Sequence, residues 1–276
     1  MSYYRILGLK REPFSTSPDP LFFYKSSEHM AALMRIMIEI RLRRGLSVIL
    51  GDVGTGKTTL CRKLLQMFKV REDMEFYIIL DPGYETEKLF LSALIRTFGL
   101  MADTIIEEFN LSDYRERLKN FLFKKGVEEG KTVVLLIDEA QKMNSASLEA
   151  LRTLLNYETN EYKLLQLVLV GQMELVSQLR EMRNLVDRIN LKYILNPLDA
   201  KEVEEMINFR LHKAGYTSDK TLFDKGAIEE IYKNTQGYPR RVSMLCHNAL
   251  RELLTSNKGY IDKELIQNLL LKEVLI

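Results

Sequence analysis

Gly51-Asp52-Val53-Gly54-Thr55-Gly56-Lys57-Thr58 is the stretch around which the rest of this sequence is organised. It fits the spacing Gly-x4-Gly-Lys-Ser/Thr, and its flanks matter as much as the match. The apolar run Leu46 to Leu50 precedes it and the helix-forming run Thr59 to Phe68 follows, so a strand feeds a glycine loop that feeds a helix. Glycines at 51, 54 and 56 let the backbone turn tightly and aim its N–H groups inward, while the helix behind them presents the positive end of its dipole. Such a loop is built to cradle phosphates. Gly51 through Thr59, including Asp52, Val53 and Thr55, would line a triphosphate; Lys57 would reach its β- and γ-phosphates, and Thr58 would lend a hydroxyl to Mg²⁺.

Working outward, a loop of this kind needs a carboxylate at the end of a neighbouring strand. Val133 to Ile137 is an uninterrupted apolar run ending in Asp138-Glu139. Such a run reads as a strand buried on both faces of a parallel sheet, and ligands in these folds bind beyond the carboxyl ends of the strands. Asp138 is therefore the candidate to orient Mg²⁺, and Glu139 the candidate to polarise an attacking water. Further strands are predicted at Phe76 to Leu80, Leu164 to Val170 and Leu191 to Leu195, with helices over about 85–98, 112–129, 144–156 and 173–190. Gly171-Gln172 closes the fourth strand; Gln172 either touches the γ-phosphate or the water, or only terminates the strand. Five strands alternating with helices predict a three-layer α/β sandwich, a P-loop NTPase fold with a mostly parallel sheet.

Past Asn196-Pro197 the strand runs stop. Amphipathic helices near 199–214, 221–234, 239–256 and 262–274 predict a second, all-helical domain over residues 198–276, after an α/β domain over 1–197. Gly237-Tyr238-Pro239-Arg240-Arg241 opens one of these helices, with Pro239 suited to the first turn. Arg240 either folds down on the nucleotide or is a surface arginine. Residues 1–27, with Pro13, Pro18 and Pro20 among Phe14, Phe22, Phe23 and Tyr24, read as an irregular arm whose aromatics pack on the core or beside an adenine ring. A helix from Ser26 or Ser27 to about Arg44 follows. Met30, Leu33, Met34, Met37, Ile38 and Leu42 are expected to face the core, with Arg35, Arg41, Arg43 and Arg44 on a basic face.

The composition bounds the rest. A chain of 276 residues, 46% of them apolar, can bury a proper core. With 40 Lys and Arg against 38 Asp and Glu, the net charge of +2 marks neither a nucleic-acid coat protein nor an acidic tail. Cys61 and Cys246 stand far apart and three histidines are scattered, so no metal-ligand cluster is legible. The N-terminus lacks a signal peptide and no apolar run approaches the roughly 20 residues a bilayer requires, which predicts a cytoplasmic protein without a membrane span.

Taken together these stretches resemble the AAA+ ATPases along the whole chain. More narrowly they resemble the ATPase domain of the general secretion pathway protein A group and the related ATPases of exopolysaccharide and protein-sorting loci. The resemblance rests on Tyr4 to Leu9, Pro13-Phe14, Pro18 to Phe23, the glycine loop, Ile137-Asp138-Glu139-Ala140-Gln141, Val170 to Leu175, Asp187-Arg188-Ile189 and Gly237 to Val242. It implies an ATP- and Mg²⁺-dependent ATPase with a small helical lid. It implies that Gln172 is the sensor-1 residue, Arg240 the sensor-2 arginine, and Arg188, with Arg183 as a rival, the arginine inserted by a neighbouring subunit. It further implies a homo-oligomer with shared active sites that drives assembly of a secretion or envelope machine. Related ATPases serve transposons as DNA-bound regulators that recruit a transposase, which leaves DNA as a second candidate partner. Longer relatives continue into a membrane span and a wall-binding region, which are not carried over.

Overall fold

A computed structural model describes residues 3–17, 19–100, 109–218, 221–256 and 258–273. Pro18 of the arm and residues 274–276 therefore lie outside the described residues. The chain divides into two compact units: 29–53 with 60–195, and 1–28 with 54–59 and 196–276.

The first unit is the α/β sandwich. Strands β1 (Leu46–Leu50), β2 (Met74–Ile79), β3 (Thr132–Ile137), β4 (Leu165–Gly171) and β5 (Ile189–Ile194) form one sheet in the order β2-β3-β4-β1-β5, and each neighbouring pair is parallel. The pattern of side chains explains the order. Every residue of β1, β3 and β4 is buried, as central strands covered on both faces require, whereas β2 and β5 carry the partly exposed residues that edges tolerate.

The helices associated with this unit are α2 (Ser27–Arg41), α3 (Lys57–Phe68), α4 (Glu87–Thr97), α5 (Leu111–Phe123), α6 (Ser145–Leu154), α7 (Glu174–Arg180) and α8 (Arg183–Val186), after a short α1 (Tyr3–Ile6) in the arm. Side chains cap several starts: Asn110 forms a reciprocal capping box with Asp113, and Asn144 accepts from the Ser147 N–H. Two expected helices differ. The stretch read as 112–129 ends in a π turn over Lys124–Glu128, where Gly126 lets the backbone approach Leu164: an added Cβ would lie 2.8 Å from its Cδ2. The stretch read as 173–190 breaks at Met182, whose φ of −113° and ψ of 67° are not helical.

The apolar face of α2 also needs correcting. Ala32, Leu33, Ile36 and Ile40 are buried, but Met30, Met34, Ile38 and Leu42 are exposed. The helix carries two apolar ridges, and only one of them packs. Its basic face is likewise partly engaged internally. Arg43 donates to Thr132 Oγ1 at 3.0 Å and to the Gly130 carbonyl at 2.8 Å while stacking on Tyr162, and Arg44 lies 3.6 Å from Glu39.

The second unit is helical: α9 (Ala200–Lys213), α10 (Lys225–Thr235), α11 (Pro239–Leu253) and α12 (Lys263–Glu273). The arm, expected with the α/β domain, packs here. Leu9, Phe14 and Phe22 enter the same core as Val203, Ile231, Val242 and Leu250, and Phe14 meets Phe223 edge to face at 6.0 Å. The reason is partly polar as well: the Lys10 N–H donates to the Ala214 carbonyl at 2.8 Å, and the Ser27 N–H and hydroxyl both donate to Glu202 Oε1. Burying each such apolar side chain stabilises by about 1.5–3 kcal/mol.

Candidate functional site

The glycine loop begins where β1 ends. Leu50 pairs with Gly171, and the Gly51 N–H donates to the Gly171 carbonyl at 3.2 Å, so the loop leaves the sheet from the edge at which β4 also ends. β3 lies on the other side of β4 and runs the same way, with Ile137 paired to Leu169. The carboxyl ends of β1, β4 and β3 therefore stand side by side, which brings Gly51, Gln172 and Asp138 to one edge of the sheet.

Downstream, Gly54 and Gly56 have φ of +89° and +98°, left-handed values that glycine adopts without strain. Helix α3 starts at Lys57, so Lys57, Thr58 and Thr59 form its first turn, where free N–H groups and the helix dipole favour an anion. Thr55 and Lys57 are buried. In the helical unit the Arg240 N–H donates to the Gly54 carbonyl at 3.2 Å, and a Cβ on Gly54 would come within 3.1 Å of the Arg240 Cβ. The lid helix α11 thus holds the loop by its first turn, and Arg240 itself is exposed.

Asp138 is only 1% exposed. Its N–H donates to the Ile79 carbonyl at 2.8 Å, and its Oδ1 accepts from the Glu139 N–H at 2.9 Å. Glu139 then turns out of the strand direction at φ 53° and ψ 36°, a left-handed conformation that costs a residue with a Cβ about 1–3 kcal/mol and clusters at functional sites. This kink separates the two carboxylates. Asp138 stays in line with β3, while Glu139 meets the end of β4, where Gln172 Nε2 comes within 3.5 Å of its Oε2. Gln172 thus lies beside Glu139. A buried carboxylate, like a threonine hydroxyl, offers the oxygen that a hard cation such as Mg²⁺ prefers as a ligand.

Arg188 is elsewhere. It immediately precedes β5 and so lies at the amino edge of a parallel sheet, opposite the carboxylates, with about 20 Å of strand between the two edges. Arg183, its rival, is exposed on α8. The residue that sequence reasoning quoted without assigning a role is Gln141. Its Nε2 donates to Glu139 Oε2 at 2.7 Å. The signal for it was weak, because a contact between the ends of β3 and β4 follows from the strand order.

This sheet, with its glycine loop and paired carboxylates followed by a helical lid, defines a nucleotide-binding domain of the AAA type. The family model described as "AAA domain" matches residues 40–179, half of the chain, and the chain belongs to that family. It is also 36% identical over 250 residues, 90% of its length, to general secretion pathway protein A of Aeromonas hydrophila, of which the match spans 44%. Among solved structures it is similar to Drosophila ORC bound to DNA, with a TM-score of 0.68 at 20% identity over 99% of this chain and 66% of that one. It is likewise similar to the Aeropyrum pernix ORC2 protein, at 0.64 and 15% over 93% and 72%, and to the Thermotoga maritima RuvB branch migration motor, at 0.56 and 17% over 92% and 73%. These likenesses bear on the fold. Among the described residues no helix is long and apolar enough to cross a membrane.

Proposed function

We propose that the chain is a Mg²⁺-dependent ATPase whose active site is completed by a second copy of itself. Residues 51–59 would hold the phosphates, with Lys57 on the β- and γ-phosphates and Thr58 and Asp138 on Mg²⁺, which neutralises charge on the phosphate oxygens when bound. Glu139 would polarise the attacking water, with Gln172 beside it, and Arg240 would bring the lid to the nucleotide. Phosphoryl transfer asks a protein mainly for positioning and positive charge, and one inserted arginine is worth about 10³ to 10⁵ in rate. The observation that carries the shared site is the place of Arg188. An arginine at the amino edge of the sheet is a strand's length from Glu139, so a catalytic role for it belongs to the next copy's site.

The similarity to general secretion pathway protein A supports a protein partner in a secretion machine. The DNA-bound alternative is weaker, because Arg43 and Arg44, half of the four arginines on the basic face, are engaged within the fold. Phosphate release measured over a wide range of protein concentration tests the proposal. Turnover per subunit should rise steeply with concentration and fall to background in Glu139→Gln; a rate per subunit that is independent of concentration would overturn the shared site. ATP-dependent binding to duplex DNA at low salt would restore the alternative.

A further inference from the structure

The side-chain amide of Gln141 has both ends engaged. It sits in the single 3₁₀ turn Ala140–Lys142 that follows Glu139. Its Nε2 donates to Glu139 Oε2 at 2.7 Å, and its Oε1 accepts the backbone N–H of Gln172 at 3.0 Å. A carboxylate accepts only and a backbone N–H donates only, so one orientation of the amide satisfies both. The turn is tied down in a third way: the Gln141 carbonyl accepts from Gln178 Nε2, on α7, at 2.9 Å. Gly171 leaves the room this needs. A Cβ there would lie 3.1 Å from Gln141 Oε1 and 3.0 Å from Leu175 Cδ2.

We infer that Gln141 is a positioning residue that links the water-polarising carboxylate of Glu139 to the backbone at the end of β4, so that Glu139 and Gln172 take up their working places together. The bridge occupies Oε2 and so leaves Oε1 of Glu139 for the water. It also limits the rotamers open to the Glu139 carboxylate, which a free side chain at that turn would exchange among. Gln172 touches Glu139 directly only at 3.5 Å, so the shorter path between β4 and the carboxylate runs through Gln141. This rests on the hydrolysis reading above and adds the means by which a change at the sensor strand would reach the base.

The test uses the full chain with Mg-ATP and compares the parent with Gln141→Ala and Gln141→Glu. In Gln141→Ala, kcat should fall about tenfold, the scale of one lost hydrogen bond to a charged group, with affinity for a fluorescent ATP analogue within about twofold of the parent. The Gln172 amide should exchange faster with solvent. Gln141→Glu keeps an acceptor for the Gln172 N–H but loses the donor to Glu139 Oε2, so it should restore slow exchange of the Gln172 amide while kcat stays low, a split that simple loosening of the fold would not produce. With an actively hydrolysing parent, unchanged kcat and Gln172 exchange in Gln141→Ala would overturn the role of Gln141 alone; so would a faster Gln141→Ala. A parent with no turnover at any concentration would overturn the hydrolysis reading, and the positioning role of Gln141 with it.

Discussion

Replacing Gly237 with alanine puts a methyl where the backbone of another segment already stands. An added Cβ would lie 1.9 Å from the Leu198 carbonyl oxygen and 2.9 Å from its carbonyl carbon, and Gly237 has φ +73°. Three costs add. The left-handed conformation disfavours alanine by about 1–2 kcal/mol. Relieving the overlap requires backbone movement, at about 1–3 kcal/mol by analogy with overpacked cores. That movement pulls apart the 3.0 Å bond from the Leu198 N–H to the Gly237 carbonyl, for about 1 kcal/mol more. The sum is about 3–6 kcal/mol, in the range reserved for severe substitutions. Two glycines of the same helical unit separate the terms. Gly8 has φ +76° with nothing within 4 Å of an added Cβ, so Gly8→Ala should cost only the conformational part, about 1–2 kcal/mol. Gly259 has open space and no left-handed φ, so Gly259→Ala should be neutral or stabilising by up to about 1 kcal/mol. Urea unfolding followed by circular dichroism, with hydrogen exchange of α10 and α11 peptides to locate the loss, reads all three. A Gly237→Ala protein within about 1 kcal/mol of Gly8→Ala would refute the clash argument.

The remaining predictions concern the site and one buried cation. Lys57→Ala should abolish binding of a fluorescent ATP analogue, while Glu139→Gln should bind it and retain it through a spin column; near-parental affinity in Lys57→Ala would remove the loop from the site. Burial pushes the Arg210 guanidinium down to about 10, and its Nε is buried without a hydrogen bond. A fall of that size corresponds to about 3 kcal/mol against folding. Because this is a base whose folded value is depressed, the cost is full at neutral pH, where both states are charged, and stability recovers only as pH rises past about 10. Arg210→Met should therefore raise stability by about 1–3 kcal/mol in urea at pH 7, and a loss there would contradict the reasoning.

Much of this molecule is written in apolar runs. β1, β3 and β4 are continuous hydrophobic stretches because both faces of a central parallel strand are covered, and such stretches are legible without partners. β5 starts two residues before the predicted Leu191 and ends one before Leu195, since Asn190 is exposed on an edge strand and breaks the apolar run. Facing is harder to read than existence. Met34 and Leu33 are adjacent apolar residues on α2, yet only Leu33 is buried, because which ridge meets the sheet is decided by tertiary packing. The arm's Phe14 carried no mark of its destination, which depends on helices some 200 residues later in the chain. The glycine loop and the Asp138-Glu139 pair were legible because their spacing has a chemical reason. Gln141 was not, since its partner Gln172 comes into reach only when β4 is laid beside β3.

The shared site is tested most directly by mixing two defective chains. Arg188→Ala keeps its own Glu139 but offers no arginine to a neighbour, and Glu139→Gln binds ATP and offers Arg188 but cannot polarise the water. Each alone should release phosphate at background. Mixed in equal amounts, they should recover a substantial fraction of parental turnover, because some interfaces then combine an intact Glu139 with an intact Arg188. A mixture no faster than the sum of its parts, together with a fully active Arg188→Ala chain, would contradict the account.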